Sequence, residues 1–225
     1  MVTNVFVQPP PKLVVFEGVD GVGKSTLADA LERYYRRAFP QLSVSSGSFP
    51  GAMPGSLGEW VYRLHHGEIE GLSPASISPP ALQLLHVAAH VNGIVSWIAP
   101  ALKEGHVILD RYWWSTYAYA RTDVGVDEAW ALVAAEHPFW RPLPQPTIFY
   151  VTRTVSLKGG ELDQRRHDVL DRYYREVIER EYGSGVEVHD LANDGELEAC
   201  WRRLLGCLGL PYAPCETIGG DEHIA

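Results

Sequence analysis

The residues best suited to chemistry in this 225-residue chain form one short run, Gly18-Val19-Asp20-Gly21-Val22-Gly23-Lys24-Ser25, which matches G-x-x-x-x-G-K-[ST] in full. Gly18, Gly21 and Gly23 let the backbone curl, so that successive N–H groups, including those of Val22 and Thr26, point at phosphate oxygens. A helix opening at Thr26 adds partial positive charge at its N-terminus. Lys24 can reach the β- and γ-phosphates, and the Ser25 hydroxyl can hold Mg²⁺. The loop implies ATP or GTP. It leaves the use of the nucleotide open between a small-molecule kinase, a regulatory switch and an ATPase motor. The guanine-reading Asn-Lys-x-Asp of a GTPase is absent from the sequence, and a motor usually needs more chain.

The elements around the loop have the required order. Lys12 to Glu17 (KLVVFE) is a short apolar run, as in a strand buried on both faces, and 26–38 has helical periodicity. Further strands are expected near 42–45, 106–109, 147–151 and 186–189. Helices are expected near 56–66, 80–103, 127–136, 161–182 and 195–208, with a proline-rich loop from Pro138 to Pro146. Strands alternating with helices predict an α/β fold: a parallel five-stranded sheet in three layers, with helices on both faces. Ligands in such sheets sit at the carboxyl ends of the strands. The whole of 1–225 reads as a single domain, with a core of about 12–208 and loose tails at 1–11 and 211–225.

Composition narrows the function. Lys and Arg total 19 against 28 Asp and Glu, a net charge of −9, which excludes a nucleic-acid coat and a basic membrane patch. Any cations that meet an anionic ligand must therefore be placed locally. The three cysteines form neither a disulfide framework nor a zinc pattern. Cys200 and Cys207, seven apart, share a helix face and read as small buried hydrophobes. The N-terminus shows no basic region followed by an apolar run. The apolar stretch 82–102 contains His86, His90, Asn92 and Gly93, so it reads as a core helix rather than a membrane span. A cytoplasmic protein is the expectation.

Phe16 to Thr26 (FEGVDGVGKST) resembles the thymidylate kinase family, and Asp110-Arg111-Tyr112-Trp113-Trp114-Ser115-Thr116-Tyr117-Ala118-Tyr119 resembles its D-R-[YH]-x-x-S-x-x-A-Y pattern. PGSLGE within Pro50 to Glu59 and GGELD ending at Asp163 are weaker echoes, the second within a lid of about 153–168. The resemblance implies a P-loop nucleoside monophosphate kinase that uses ATP and Mg²⁺. It implies that Asp110 orients Mg²⁺ and its waters beside Ser25, and that Arg111 forks onto phosphate oxygens. It also implies that Asp20 accepts from the acceptor's 3′-hydroxyl, that Tyr119 lies against the sugar, and that Thr116 and Phe49 lie near the acceptor. The region after the second strand (SSGSFPG, 45–51) has no carboxylate to deprotonate a nucleoside hydroxyl, which favours a monophosphate acceptor.

Three departures fall on the acceptor side. His86 and His90 stand where the family has a stacking Phe and a base-reading Arg; as i and i+4 residues they share a helix face. Gly51 stands where an Arg commonly follows Phe-Pro, leaving Arg63 or the lid to replace it. The lid is short, with Gln164 where an Arg is common, and Gly21 occupies a loop position that is Arg in some relatives. The transition-state cation is therefore expected among Arg153, Lys158, Arg165 and Arg166. The reading is phosphoryl transfer from ATP to dTMP or a related deoxynucleoside monophosphate. The alternatives are a same-fold kinase for a modified nucleotide or other phosphorylated metabolite, and a non-catalytic nucleotide-binding regulator. The family is often dimeric, and the 82–102 helix offers a face for a twofold partner.

Overall fold

The computed structural model describes residues 12–51, 53–155, 161–181 and 183–216. Five strands, β1 (Leu13–Glu17), β2 (Val44–Ser48), β3 (His106–Asp110), β4 (Thr147–Thr152) and β5 (Glu187–Ala192), form one sheet. Its order is β2-β3-β1-β4-β5 and every pairing is parallel, as the alternating pattern predicts. The register pairs Phe16 with Asp110 and Val15 with Ile148, which brings the carboxyl ends of the central strands to one edge. All five residues of β1 and of β3 are buried.

The helices are α1 (Lys24–Ala38), α2 (Leu57–His65), α3 (Pro79–Gly93), α4 (Ala99–Glu104), α5 (Trp113–Ala120), α6 (Val126–Trp140), α7 (Glu161–Glu181) and α8 (Leu197–Cys207). The single helix expected over 80–103 is a continuous run interrupted by a π turn at Ile94–Ile98. Pro100 offers no N–H to the preceding turn, and the wider π turn absorbs that loss. By length and composition this run could span a membrane; α3 packs on α6 and α4 packs on β3, and the run is buried only in part.

Three boundaries differ from the sequence reading for identifiable reasons. α6 runs to Trp140, four residues past the expected end and through Pro138, because the buried Trp140 ring packs on Phe49 and Tyr112. α5 lies in a stretch read only as a motif, and Trp113 to Ala118 are all buried, so no polar face marked it as a helix. Residues 211–216, expected within a loose tail, are tied down. Tyr34 Oη donates to Pro211 O at 2.7 Å, Trp201 Nε1 to Ala213 O at 2.8 Å, and Cys215 N to Glu198 at 3.0 Å. Cys200 is buried as expected, but Cys207 is exposed, since it ends α8 where the helix leaves the core.

Candidate active site

The loop from Gly18 to Gly23 leaves the end of β1 and turns into α1. Gly18, Gly21 and Gly23 all have positive φ, at 137°, 78° and 98°. Space as well as angle excludes a side chain at two of them. A Cβ on Gly18 would overlap the carbonyl oxygen of Val151, and one on Gly23 would come within 2.5 Å of Asn193 Nδ2. That amide donates to Val22 O at 2.7 Å, so the loop after β5 clamps the phosphate loop. Asn193 is a residue that sequence reasoning missed, lying 171 positions from its partner with no local motif around it.

Lys24 opens α1 with a nearly buried side chain and donates to Val19 O at 2.7 Å, across the curl of the loop. Burial, with the nearby Arg111 charge, pushes its pKa down to about 8. Ser25 and Thr26 are exposed at the helix N-terminus. The Ser25 hydroxyl donates to Asp110 Oδ2, while Asp110 Oδ1 is buried and has no hydrogen-bond partner among the described residues. A hydroxyl, a carboxylate and an unsatisfied carboxylate oxygen at one point fit a hard divalent cation such as Mg²⁺, which takes oxygen ligands.

Arg111 follows β3 with a φ of 85°, a conformation that side-chain-bearing residues adopt at a cost and that recurs at functional sites. Its guanidinium is held on several sides. Nη2 donates to Asp20 and, at 3.2 Å, to Tyr119 Oη. Nη1 reaches Ser115 Oγ at 3.1 Å and Tyr174 Oη at 3.3 Å, and the group lies 5.1 Å from the Tyr119 ring centre. Asp20, Arg111 and Tyr119 are thus brought together beside the phosphate loop, as their expected shared role requires.

Glu17, the last residue of β1, was read only as the end of a strand. It is fully buried, accepting from Tyr112 N at 2.7 Å, Ser115 N at 3.0 Å and Ser115 Oγ at 2.9 Å. A carboxylate closing an otherwise apolar buried run was the signal that could have found it.

The remaining acceptor candidates separate. Thr116, His90 and Phe49 meet in a buried cluster with Glu136, which is fully enclosed. His90 Nδ1 lies 2.9 Å from Glu136 Oε2, Thr116 Oγ1 donates to the same oxygen at 2.8 Å, and Trp140 Nε1 donates to Oε1 at 2.8 Å. Phe49 packs on His90 with ring centres 4.2 Å apart. Burial alone would raise the Glu136 pKa, but His90 and these hydrogen bonds hold it below the usual carboxylate range. His86 does not join His90. It turns to α2, with Nε2 2.9 Å from His65 Nε2, and burial pushes its pKa down to about 3. Sharing a helix face did not make the two histidines a pair, because α6 meets one turn of α3 and α2 meets the next.

The cations considered as replacements lie on different elements. Arg63 is committed to Glu68 at 3.7 Å on the surface. Arg153 is half-buried after β4, and Arg165 and Arg166 are exposed on the first turns of α7. Lys158 lies outside the described residues. Gln164 donates to Thr154 O at 3.3 Å and to Asp168 at 2.8 Å, so it ties α7 to the end of β4.

Comparison with known proteins decides between the uses of this loop. A thymidylate kinase family model matches residues 16–179. The chain belongs to the thymidylate kinase family. It is 35% identical over 196 residues to a thymidylate kinase of Roseiflexus sp. strain RS-1, covering 85% of this chain and 80% of that one. It is 34% identical over 161 residues to the thymidylate kinase of Dinoroseobacter shibae, covering 68% and 73%. The crystal structure of thymidylate kinase from Ehrlichia chaffeensis superposes with a TM-score of 0.67 at 20% identity, covering 89% of this chain and all of that one, a likeness of fold. Within the thymidylate kinase match lie both halves of the site, the phosphate loop and the Asp110–Tyr119 segment. The family makes this chain an ATP-dependent nucleoside monophosphate kinase.

Proposed function

We propose that the chain transfers the γ-phosphoryl group of ATP to dTMP, giving ADP and dTDP. The observation that carries this is Arg111, strained in backbone and fixed by Asp20, Ser115, Tyr119 and Tyr174, standing beside a complete phosphate loop. The loop's N–H groups and Lys24 bind the donor phosphates. Arg111 binds the acceptor's phosphate, Asp20 and Tyr119 orient its sugar, and the Phe49–His90–Thr116 cluster forms the wall behind its base. Ser25 and Asp110 would hold Mg²⁺, which neutralises phosphate charge when bound. Arg153 and Arg165 are the lid residues assigned to the transferring group. Transfer of this kind rests on positioning and charge neutralisation, so the site needs no covalent nucleophile.

The family match favours this reading over a different acceptor or a regulator. We also place the enzyme in the cytoplasm, as a single domain and a homodimer, with neither nucleic acid nor membrane as partner. Exposed Leu57, Trp60, Tyr62 and Leu84 on α2 and α3 supply an apolar face for a second copy. The test is acceptor-dependent ADP release across a panel of nucleoside monophosphates. dTMP should be the best acceptor; no turnover with any pyrimidine monophosphate would overturn the proposal.

A further inference from the structure

Within the described residues two carboxyls are fully buried, Glu17 and Glu136, and Glu17 is the one that contacts the start of α5 and, through Ser115, Arg111. Glu17 Oε1 accepts from the N–H groups of Tyr112 and Ser115, the residue before α5 and one in its first turn. No side chain of the helix itself caps that end, so a strand residue 95 positions away does so. Glu17 Oε2 accepts from Ser115 Oγ at 2.9 Å, and the same Ser115 oxygen takes a hydrogen bond from Arg111 Nη1 at 3.1 Å and lies 2.8 Å from Tyr174 Oη.

We propose that Glu17 is a positioning residue for acceptor binding, its ionised carboxylate fixing the stance of Arg111 through Ser115 and the first turn of α5. This rests on the assignment of Arg111 to the acceptor phosphate. With Glu17 ionised, the Ser115 hydroxyl gives its hydrogen to Oε2 and keeps its lone pairs for Arg111 and Tyr174. A proton added to Oε2 reverses that direction. Glu17 then donates to Ser115, and Ser115 turns its own hydrogen towards Tyr174, whose hydroxyl hydrogen loses its place. The same proton removes the negative charge facing Arg111 and weakens the cap on α5. The groups facing Glu17 are Lys24 of α1, Arg111 after β3, Tyr112 and Ser115 at the start of α5, Tyr150 of β4 and Tyr174 of α7. Burial outweighs the pull of Arg111, Ser115 and Lys24 and pushes the Glu17 pKa up to about 7. Its charge therefore changes in the range where such an enzyme works.

The test is Glu17→Gln, which keeps shape and one acceptor oxygen but cannot be ionised. At a pH one unit above 7, the KM for dTMP should rise about tenfold, with kcat and the KM for ATP changed by less than about threefold. One unit below 7, the ratio of variant to wild-type KM should shrink to under about threefold, because wild-type Glu17 is then largely protonated. Ionisation of dTMP itself affects both proteins equally and cancels from that ratio. A ratio that does not change with pH would overturn the proposal. If the variant does not fold, Ser115→Ala cuts the route to Arg111 while leaving both backbone hydrogen bonds on Glu17, and it should raise the same KM; an unchanged KM would count equally against it.

A second readout needs no substrate. A carboxyl whose pKa is raised on folding contributes stability that is complete below the unfolded value of 4.5 and is lost as pH rises through about 7. Wild type should therefore lose thermal stability relative to Glu17→Gln across that window. A flat difference would refute the buried titration. Absence of turnover with every monophosphate would instead defeat the functional reading and leave this measurement standing.

Discussion

Along the phosphate loop the groups turned to the phosphate site are main-chain N–H groups held by glycine conformations and by a clamp from Asn193, whereas the guanidinium of Arg111 is held by side chains drawn from three separate places in the chain. The first kind of site is written into eight consecutive residues. The second is assembled by Asp20 before α1, Ser115 and Tyr119 of α5, and Tyr174 of α7. A main-chain site tolerates little change at its glycines but much in its surroundings. A side-chain site can be retuned one partner at a time.

The comparison breaks most sharply at Lys24. Lys24→Ala should lower kcat by about 10²–10³ with little effect on folding, because it removes a preorganised cation from the phosphates. Steady-state kinetics beside a thermal melt would check it. Next is Gly23→Ala. A Cβ there meets Asn193 at 2.5 Å on a backbone with φ of 98°, so the KM for ATP should rise about tenfold or more. dTMP affinity, read by calorimetry without ATP, should hold.

On the acceptor side, Glu136→Ala should cost about 3–5 kcal/mol of stability, since it leaves buried His90, Thr116 and Trp140 without their shared partner. The sign with pH is the opposite of that at Glu17. A depressed carboxyl contributes stability above its unfolded value, and that contribution is lost as pH falls below about 4.5. Melting curves of wild type and Glu136→Gln should therefore converge in acid. The smallest effect is expected at His65→Ala, which breaks only the partly exposed contact to His86 and should change stability by about 1 kcal/mol or less with acceptor kinetics intact.

These two kinds of construction also explain what could be read in the sequence. The parallel sheet and the phosphate loop were legible because strand periodicity and a contiguous motif encode them, whereas Ser25 beside Asp110 and the grouping of Asp20, Arg111 and Tyr119 followed from the resemblance of two motifs to the family. Asn193, Glu17 and Glu136 were not. Each acts across 20 to 171 positions on a partner chosen by the packing of strands and helices. α5 escaped for a related reason, since burial on nearly all sides erased the polar face that marks a helix. His86 and His90 looked like one pair because helical spacing alone cannot say which neighbouring helix meets each turn.

On the proposed reading, the phosphate loop serves the donor and Arg111 makes the other half an acceptor site. Arg111→Ala, assayed for ADP release at saturating ATP with varied dTMP, measures it directly. kcat/KM for dTMP should fall about 10²-fold or more, with the KM for ATP unchanged. Equal turnover of dTMP by the variant, or an equal loss on the ATP side, would contradict it.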